Sequence, residues 1–283
     1  MKVLTFDIEE WFHIKFDNEF LDENEISKYE NRLENNIQFI FNLLDKHRVN
    51  ATFFCLGWVA RKYPNIIKEI DRRGHEIGSH SDKHKLVFNL TQNQFAEDLK
   101  SSINAIEDLI GKKVKIYRAP SFSIDNNNSW AFDEMIKQGI KIDCSIFPAK
   151  RKNGGYDGYV AGLPSIIETR ENVQLKEFPI NIFNFMNQNI IFSGGGYFRL
   201  LPYYLLKILM DKSNYVMTYF HPRDFDSEQP VLDNISIMRY FKSYVGLSSS
   251  KMKVNKLLGE YKFMNVSKAC TIVDWATVPV HKL

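Results

Sequence analysis

ATFFCLGWVARKYPNIIKEIDRRGHEIGSHSDKH (residues 51–84) holds two short apolar runs, ATFFCLG (51–57) and HEIGSHS (75–81), on either side of an amphipathic stretch. Residues 58–73 carry apolar side chains at helical spacing and stop at Gly74, where a helix C-terminus needs a left-handed residue. A strand, a helix and a second strand in this order make the βαβ unit of a parallel sheet. The unit runs directly into HSDKH, so His80 and His84 stand four apart in a chain with only seven histidines. Two imidazoles so placed can share one cation if their rings converge, and an anionic ligand must then come from elsewhere.

The same alternation extends in both directions. Strand patterns occur at KVLTFDIE (2–9), VKIYRAP (114–120), IKIDCS (140–145), LKEFPIN (175–181) and YVMTYFHP (215–222), with further helical patterns at 31–47, 93–111 and 128–138. Seven strand signals alternating with helices predict an α/β fold, a distorted (β/α)7 TIM-like barrel, as a single domain over residues 1–283. Residues 149–174 are rich in glycine and read as an irregular insertion, and the chain is helical in composition from about 231. The glycines of FSGGGYFRLLPYYLLKIL (192–209) fit neither GxxxxGK[ST] nor GxGxxG, so they are not a phosphate loop.

Composition excludes several classes. The net charge is +3, with lysines and arginines dispersed among acids, which gives no electrostatic case for nucleic acid. Cys55, Cys144 and Cys270 show no CxxC spacing, so neither a disulfide scaffold nor a cysteine zinc site is expected. Acids appear by position 7 with no apolar h-region, and no run of roughly 20 apolar residues could span a membrane. The expectation is a cytoplasmic protein that meets any surface glycan before export.

In a parallel barrel, reactive groups gather at the C-terminal ends of the strands. Alternation puts Asp7 and Glu9 on one side of the first strand and Ile8 on the other. Applied to the remaining strands, the same rule adds His80, Arg118, Asp143 and His221 at one mouth, with His84 one turn later if a helix starts after His80. Two histidines and one carboxylate are a common ligand set for catalytic zinc, leaving positions open for water and substrate. Such a cation lowers the pKa of water from about 15.7 to about 7, and a second carboxylate is then free to act as base.

These residues resemble the motifs of the polysaccharide deacetylases, the NodB-homology group that forms carbohydrate esterase family 4. TFDIEE stands where that family has TFDDG, HSDKH matches HSxxH, RAPSF is similar to RxPY/F, DCS occupies the DxxDW region and YFHP is similar to the final histidine motif. The resemblance implies a metal-dependent hydrolase, zinc being the expected cation, that removes acetyl groups from N-acetylated amino sugars. It further implies Asp7 as base, His80 and His84 as metal ligands, Arg118 as the partner of the base, His221 as general acid and Asp143 as the residue that orients His221.

The chain departs from the family at Ile8, which cannot bind a cation in place of the usual second aspartate. Sidedness selects Glu9 as the carboxylate ligand, with Glu10 as the alternative. DCSIFP also lacks the family's tryptophan. DIEEWFH together with GGGYFRLLPY resembles a subgroup linked to surface-polysaccharide synthesis. His13 could also reach the mouth, its other reading being a packing or surface residue after the strand, and no chemistry is assigned to His47, His75 or His281. Trp11, Phe122, Tyr197 and Phe198 are candidates for an aromatic floor under a sugar ring. Two rival readings are a barrel that only binds glycan, and a hydrolase of another amide such as a cyclic ureide or a formyl-sugar.

Overall fold

The computed structural model describes residues 1–16, 26–149, 154–159, 162–185, 188–232 and 235–283. The strands are β1 (Lys2–Val3), β2 (Thr5–Ile8), β3 (Thr52–Cys55), β4 (Glu76–Ser79), β5 (Ile116–Tyr117), β6 (Ile142–Asp143), β7 (Ser165–Glu168), β8 (Gln174–Glu177), β9 (Phe183–Phe185), β10 (Gln188–Ile190), β11 (Val216–Met217) and β12 (Val280–Lys282). An eight-stranded sheet runs β12-β7-β8-β6-β5-β4-β3-β2, parallel throughout except for the antiparallel β7–β8 pair. β1 leads into β2 and pairs in parallel with β11, and a bridge between Phe6 and Phe220 prolongs that contact.

From β8 round to β11 the strands therefore follow the order of a seven-stranded α/β barrel, distorted and not closed. Between β8 and β11 no ladder forms among the described residues, because β6 and β7 already occupy the two edges of β8. Side chains span the gap instead. The Met217 N–H donates to Asn181 Oδ1 at 3.0 Å, and the Tyr215 hydroxyl donates to the Pro179 carbonyl at 2.7 Å.

Strand alternation divides the core in two. Phe6, Ile8, Phe53 and Cys55 pack outward in one cluster with the surrounding helices, while Val3, Phe54, Ile116, Ile142 and Met217 fill the barrel interior in another. Phe6 and Ile8 facing outward leaves Thr5 and Asp7 facing in. The helices Leu33–His47, Gly57–Lys62, Pro64–Arg72, Gln92–Ile110 and Trp130–Lys137 form the outer layer. The longest buries Phe95, Leu99, Ile103 and Ile106 at helical spacing, begins with a Thr91–Gln94 capping box and ends at Gly111 with φ 66°.

Several elements differ from the sequence expectation. The helix read over 58–73 is two, broken before Pro64, whose missing N–H and ring interrupt the first and start the second. The stretch 149–174, read as irregular, contains β7, which is held between β8 and the late strand β12; its residues 150–153 and 160–161 lie outside the described residues. β9 and β10 form an unanticipated hairpin. Beyond residue 231 the chain is helical at Ile237–Tyr244, Leu247–Glu260 and Val266–Ile272, apart from residues 233–234, which are not described. Among the described residues, no helix is long and apolar enough to cross a membrane.

Candidate active site

A cavity at the C-terminal ends of the strands is lined by Asp7, Glu9, His80, His84, Ser121, Phe122, Phe147, Ile180, Ile191, Tyr197, Tyr219 and His221. Glu9, His80 and His84, all buried, each present a ligand atom, and these atoms lie within 4.8 Å of one another. His80 Nδ1–H donates to the Arg118 carbonyl at 2.9 Å, which fixes the tautomer and leaves the Nε2 lone pair to face a cation. Burial holds the His80 pKa down at about 4, so the ring is neutral, as a ligand must be. His84 Nε2 lies 2.8 Å from Glu9 Oε2. Burial alone would raise the Glu9 carboxyl, but the charge and hydrogen bond of His84, with His221 and His13 behind it, carry it below the ordinary carboxylate range. Two imidazoles and an ionised carboxylate, convergent and dehydrated, fit a divalent cation.

HSDKH does not begin a helix. Ser81 and His84 both adopt left-handed backbone, φ 71° and 57°, and the His84 N–H donates to Ser81 Oγ at 3.0 Å, so a turn folds the second imidazole back over the first strand. The turn is pinned to the start of the earlier helix Gly57–Lys62, where the Gly57 N–H donates to the Ser81 carbonyl and the Trp58 N–H to the Asp82 carbonyl. Gly57 is required here, since a Cβ would sit 2.1 Å from Asp82 Oδ1 and 2.8 Å from Ser102 Cα.

Glu10, the alternative ligand, points away. It accepts from the backbone N–H groups of Arg32 and Leu33 and from the Tyr63 hydroxyl, where it caps the helix Leu33–His47. Glu10→Ala is therefore expected to leave metal content unchanged while lowering stability by about 1–3 kcal/mol through unsatisfied donors; urea unfolding beside elemental analysis checks both.

Asp7 receives the second oriented group. Arg118, fully buried and 4.1 Å over the Phe54 ring, donates from Nη1 to Asp7 Oδ1 at 2.7 Å and to Thr5 Oγ1 at 2.7 Å. Asp7 Oδ2 stays on the cavity side, 3.8 Å from His221 Nε2, which is also 3.8 Å from Glu9 Oε1.

Asp143, expected to orient His221, does not reach it. It stands on β6, with β8 between it and β11, where it accepts from the Ser145 hydroxyl at 2.5 Å and faces Glu177 across the β6–β8 pair. Burial raises both carboxyls, Glu177 more strongly because the Asp143 charge beside it adds to the effect. The carboxylate on His221 is Asp224, three residues downstream. Its Oδ2 accepts from His221 Nδ1–H at 3.1 Å and from the His221 backbone N–H at 2.9 Å, and its Oδ1 is 3.1 Å from the buried Arg199. Burial would lower the His221 pKa, but the hydrogen bond and charge of Asp224, with Glu9 and Asp7, push it up to about 9. HPRD carried the signal for this: an acid three residues after a histidine at the start of a turn can reach back to it.

His13 is buried, accepts from the Glu10 N–H at its Nδ1 and packs its ring 5.8 Å from His84, so it supports a ligand and does not enter the cavity. Of the four proposed floor aromatics, Phe122 and Tyr197 line the cavity. Trp11 packs on Phe12 and Tyr29, and Phe198 on Phe220. Tyr219 was missed, although it shares a strand face with His221 two residues on.

Residues 4–138 match the family model described as polysaccharide deacetylase, and residues 144–271 match one described as a domain of unknown function, DUF3473. A peptidoglycan-N-acetylglucosamine deacetylase of Bacillus cereus is 33% identical over 102 residues, covering 35% of this chain and 37% of the relative. A peptidoglycan-N-acetylmuramic acid deacetylase of Bacillus subtilis is 32% identical over 124 residues, covering 42% of this chain and 47% of the relative. The chain thus matches under half the length of either. A Mycobacterium smegmatis crystal structure described as a polysaccharide deacetylase superposes with TM-score 0.66 at 16% identity, covering 100% of this chain and 92% of that one, which shows a shared fold.

Proposed function

We propose that this chain, which carries a polysaccharide deacetylase domain over residues 4–138, is a metal-dependent hydrolase that removes the acetyl group from an N-acetylated amino sugar. The observation that carries the reading is the convergence of Glu9, His80 and His84 on one point, with Asp7 left outside that set and His221 held across the mouth. A divalent cation bound there, zinc by the chemistry of the donors, would polarise the amide carbonyl and acidify a water.

The protein's own groups supply the proton movements. Asp7 Oδ2 accepts a proton from the attacking water, while Arg118 holds the other oxygen so that the carboxylate stays aimed. As the carbon–nitrogen bond breaks, His221 Nε2–H delivers its proton to the departing amine and acetate leaves. The Asp224 carboxylate, hydrogen-bonded to Nδ1–H, favours the protonated form of that imidazole. Phe122, Phe147, Ile180, Ile191 and Tyr219 give the cavity an apolar wall suited to a sugar face and an acetyl methyl.

Acetate release from N-acetylated glucosamine oligomers and peptidoglycan fragments, with and without chelator, tests the reading. Release of formate from formyl-sugars, or opening of a cyclic ureide with no acetate formed, would assign the site to another amide. Glycan binding without turnover by metal-loaded protein would leave only a binding role.

The pH profile tests Asp224. Its removal destabilises the imidazolium, so the His221 pKa falls and the acid form is lost at lower pH. Asp224→Asn should move the alkaline limb of kcat/KM down by about one unit or more. An unmoved limb would separate Asp224 from the acid.

A further inference from the structure

The helix Ile237–Tyr244 carries its apolar side chains on the wrong side for a core. Ile237 is 89% exposed, Met238 63%, Phe241 50% and Tyr240 47%, whereas its buried residue is Ser243. At 3.6 residues per turn, Tyr240, Tyr244, Ile237, Phe241 and Met238 fall in one contiguous arc, with Lys242 at its border and Arg239 on the opposite side of the helix. A globular helix turns such an arc inward. Here Ile237, Met238, Tyr240 and Phe241 face solvent, while the Tyr244 hydroxyl accepts from the Leu232 N–H and donates to the Pro230 carbonyl.

Charge identifies what the face is built to meet. Residues 234–259 contain five basic residues and no acid, in a chain whose net charge is only +3. Lys253 is buried, donating to the carbonyls of Arg199 and Leu201, while Arg239, Lys242, Lys251 and Lys256 remain partly or fully exposed. A short helix with an outward apolar arc, with lysine and arginine on the rest of its circumference, has the composition of an element that lies in the interface of an anionic bilayer.

The face is also joined to the cavity. Arg199, on the helix Gly195–Leu200, donates to the carbonyls of Lys242, Ser243 and Val245. A Cβ on Gly196 would lie 2.8 Å from the Lys242 carbonyl, so the two helices touch without an intervening side chain. Tyr197 and Leu200, on the same helix as Arg199, are 50% and 48% exposed, and Tyr197 lines the cavity. We propose that the face formed by Ile237, Met238, Tyr240 and Phe241 docks on an anionic lipid surface and brings the cavity mouth beside it. The docking is independent of which bond the site breaks.

Co-sedimentation of the full chain with vesicles tests it, using phosphatidylcholine alone and phosphatidylcholine with about one third phosphatidylglycerol. The wild type should bind the anionic vesicles and much less the neutral ones, and binding should weaken as salt rises. Ile237→Ser/Phe241→Ser and Arg239→Glu/Lys242→Glu should each reduce binding by about tenfold or more, with unchanged circular dichroism and melting temperature. Three results overturn the proposal: no binding of the wild type to anionic vesicles, binding untouched by both double variants, or self-association of the wild type that the apolar variant abolishes in the absence of vesicle binding. The last would make the face a contact between copies of the chain.

Discussion

Asp7→Asn lowers kcat by about a thousandfold while the protein keeps its metal, because the carboxylate acts on water and is not among the convergent ligands. The asparagine oxygen can still accept from Arg118 Nη1, so the buried guanidinium keeps a partner and the fold survives. Alanine would be a poorer test, since an uncompensated buried arginine costs about 3–5 kcal/mol and would confound loss of chemistry with loss of structure. Steady-state kinetics beside elemental analysis separates the two. Wild-type turnover in the metal-loaded Asp7→Asn protein would remove Asp7 from the mechanism, and loss of metal would make it a ligand.

His80→Ala weakens metal binding by more than about a hundredfold and abolishes turnover at stoichiometric metal. Changes one layer out, at the groups that orient ligands, already cost about ten- to a hundredfold, and His80 is in direct position. Its ring is set up to coordinate, since Nδ1–H is committed to the Arg118 carbonyl and burial keeps it neutral. The same Arg118 supplies its carbonyl to the ligand and its guanidinium to Asp7, so one residue sets the relation between cation and base. The cost to folding should stay modest, because the Arg118 carbonyl loses one donor and no charge is stranded. Competition with a chromogenic chelator measures the affinity. An unaltered dissociation constant would exclude His80 from the site.

Much of this arrangement was legible because it follows from strand alternation. Period two in TFDIEE sends Phe6 and Ile8 to the helices and Asp7 and Glu9 to the interior, and the structure divides them in that way. The C-terminal end of the longest helix, read over 93–111, was legible too, since Gly111 marks a left-handed stop. What escaped the reading depends on the backbone or on long-range pairing. Ser81 and His84 are left-handed without being glycine or asparagine, so nothing in HSDKH announces a turn in place of a helix. Alternation separates Glu9 from Glu10, but the capping role of Glu10 depends on where the fold places Arg32 and Leu33. Asp143 sits at a strand end, as a catalytic residue would, but which strand neighbours β11 is a property of the whole sheet. The short strands β7 and β12 gain their identity from each other, over a separation no local pattern records.

The measurement that bears most directly on the central claim is anomalous diffraction at the zinc edge from crystals of the chain grown with zinc. A single strong peak within about 2.0–2.2 Å of His80 Nε2, an imidazole nitrogen of His84 and a carboxylate oxygen of Glu9, with Asp7 beyond bonding distance, is the predicted result. A peak held by Glu10, by Asp7, or by any set that omits the two imidazoles would contradict it.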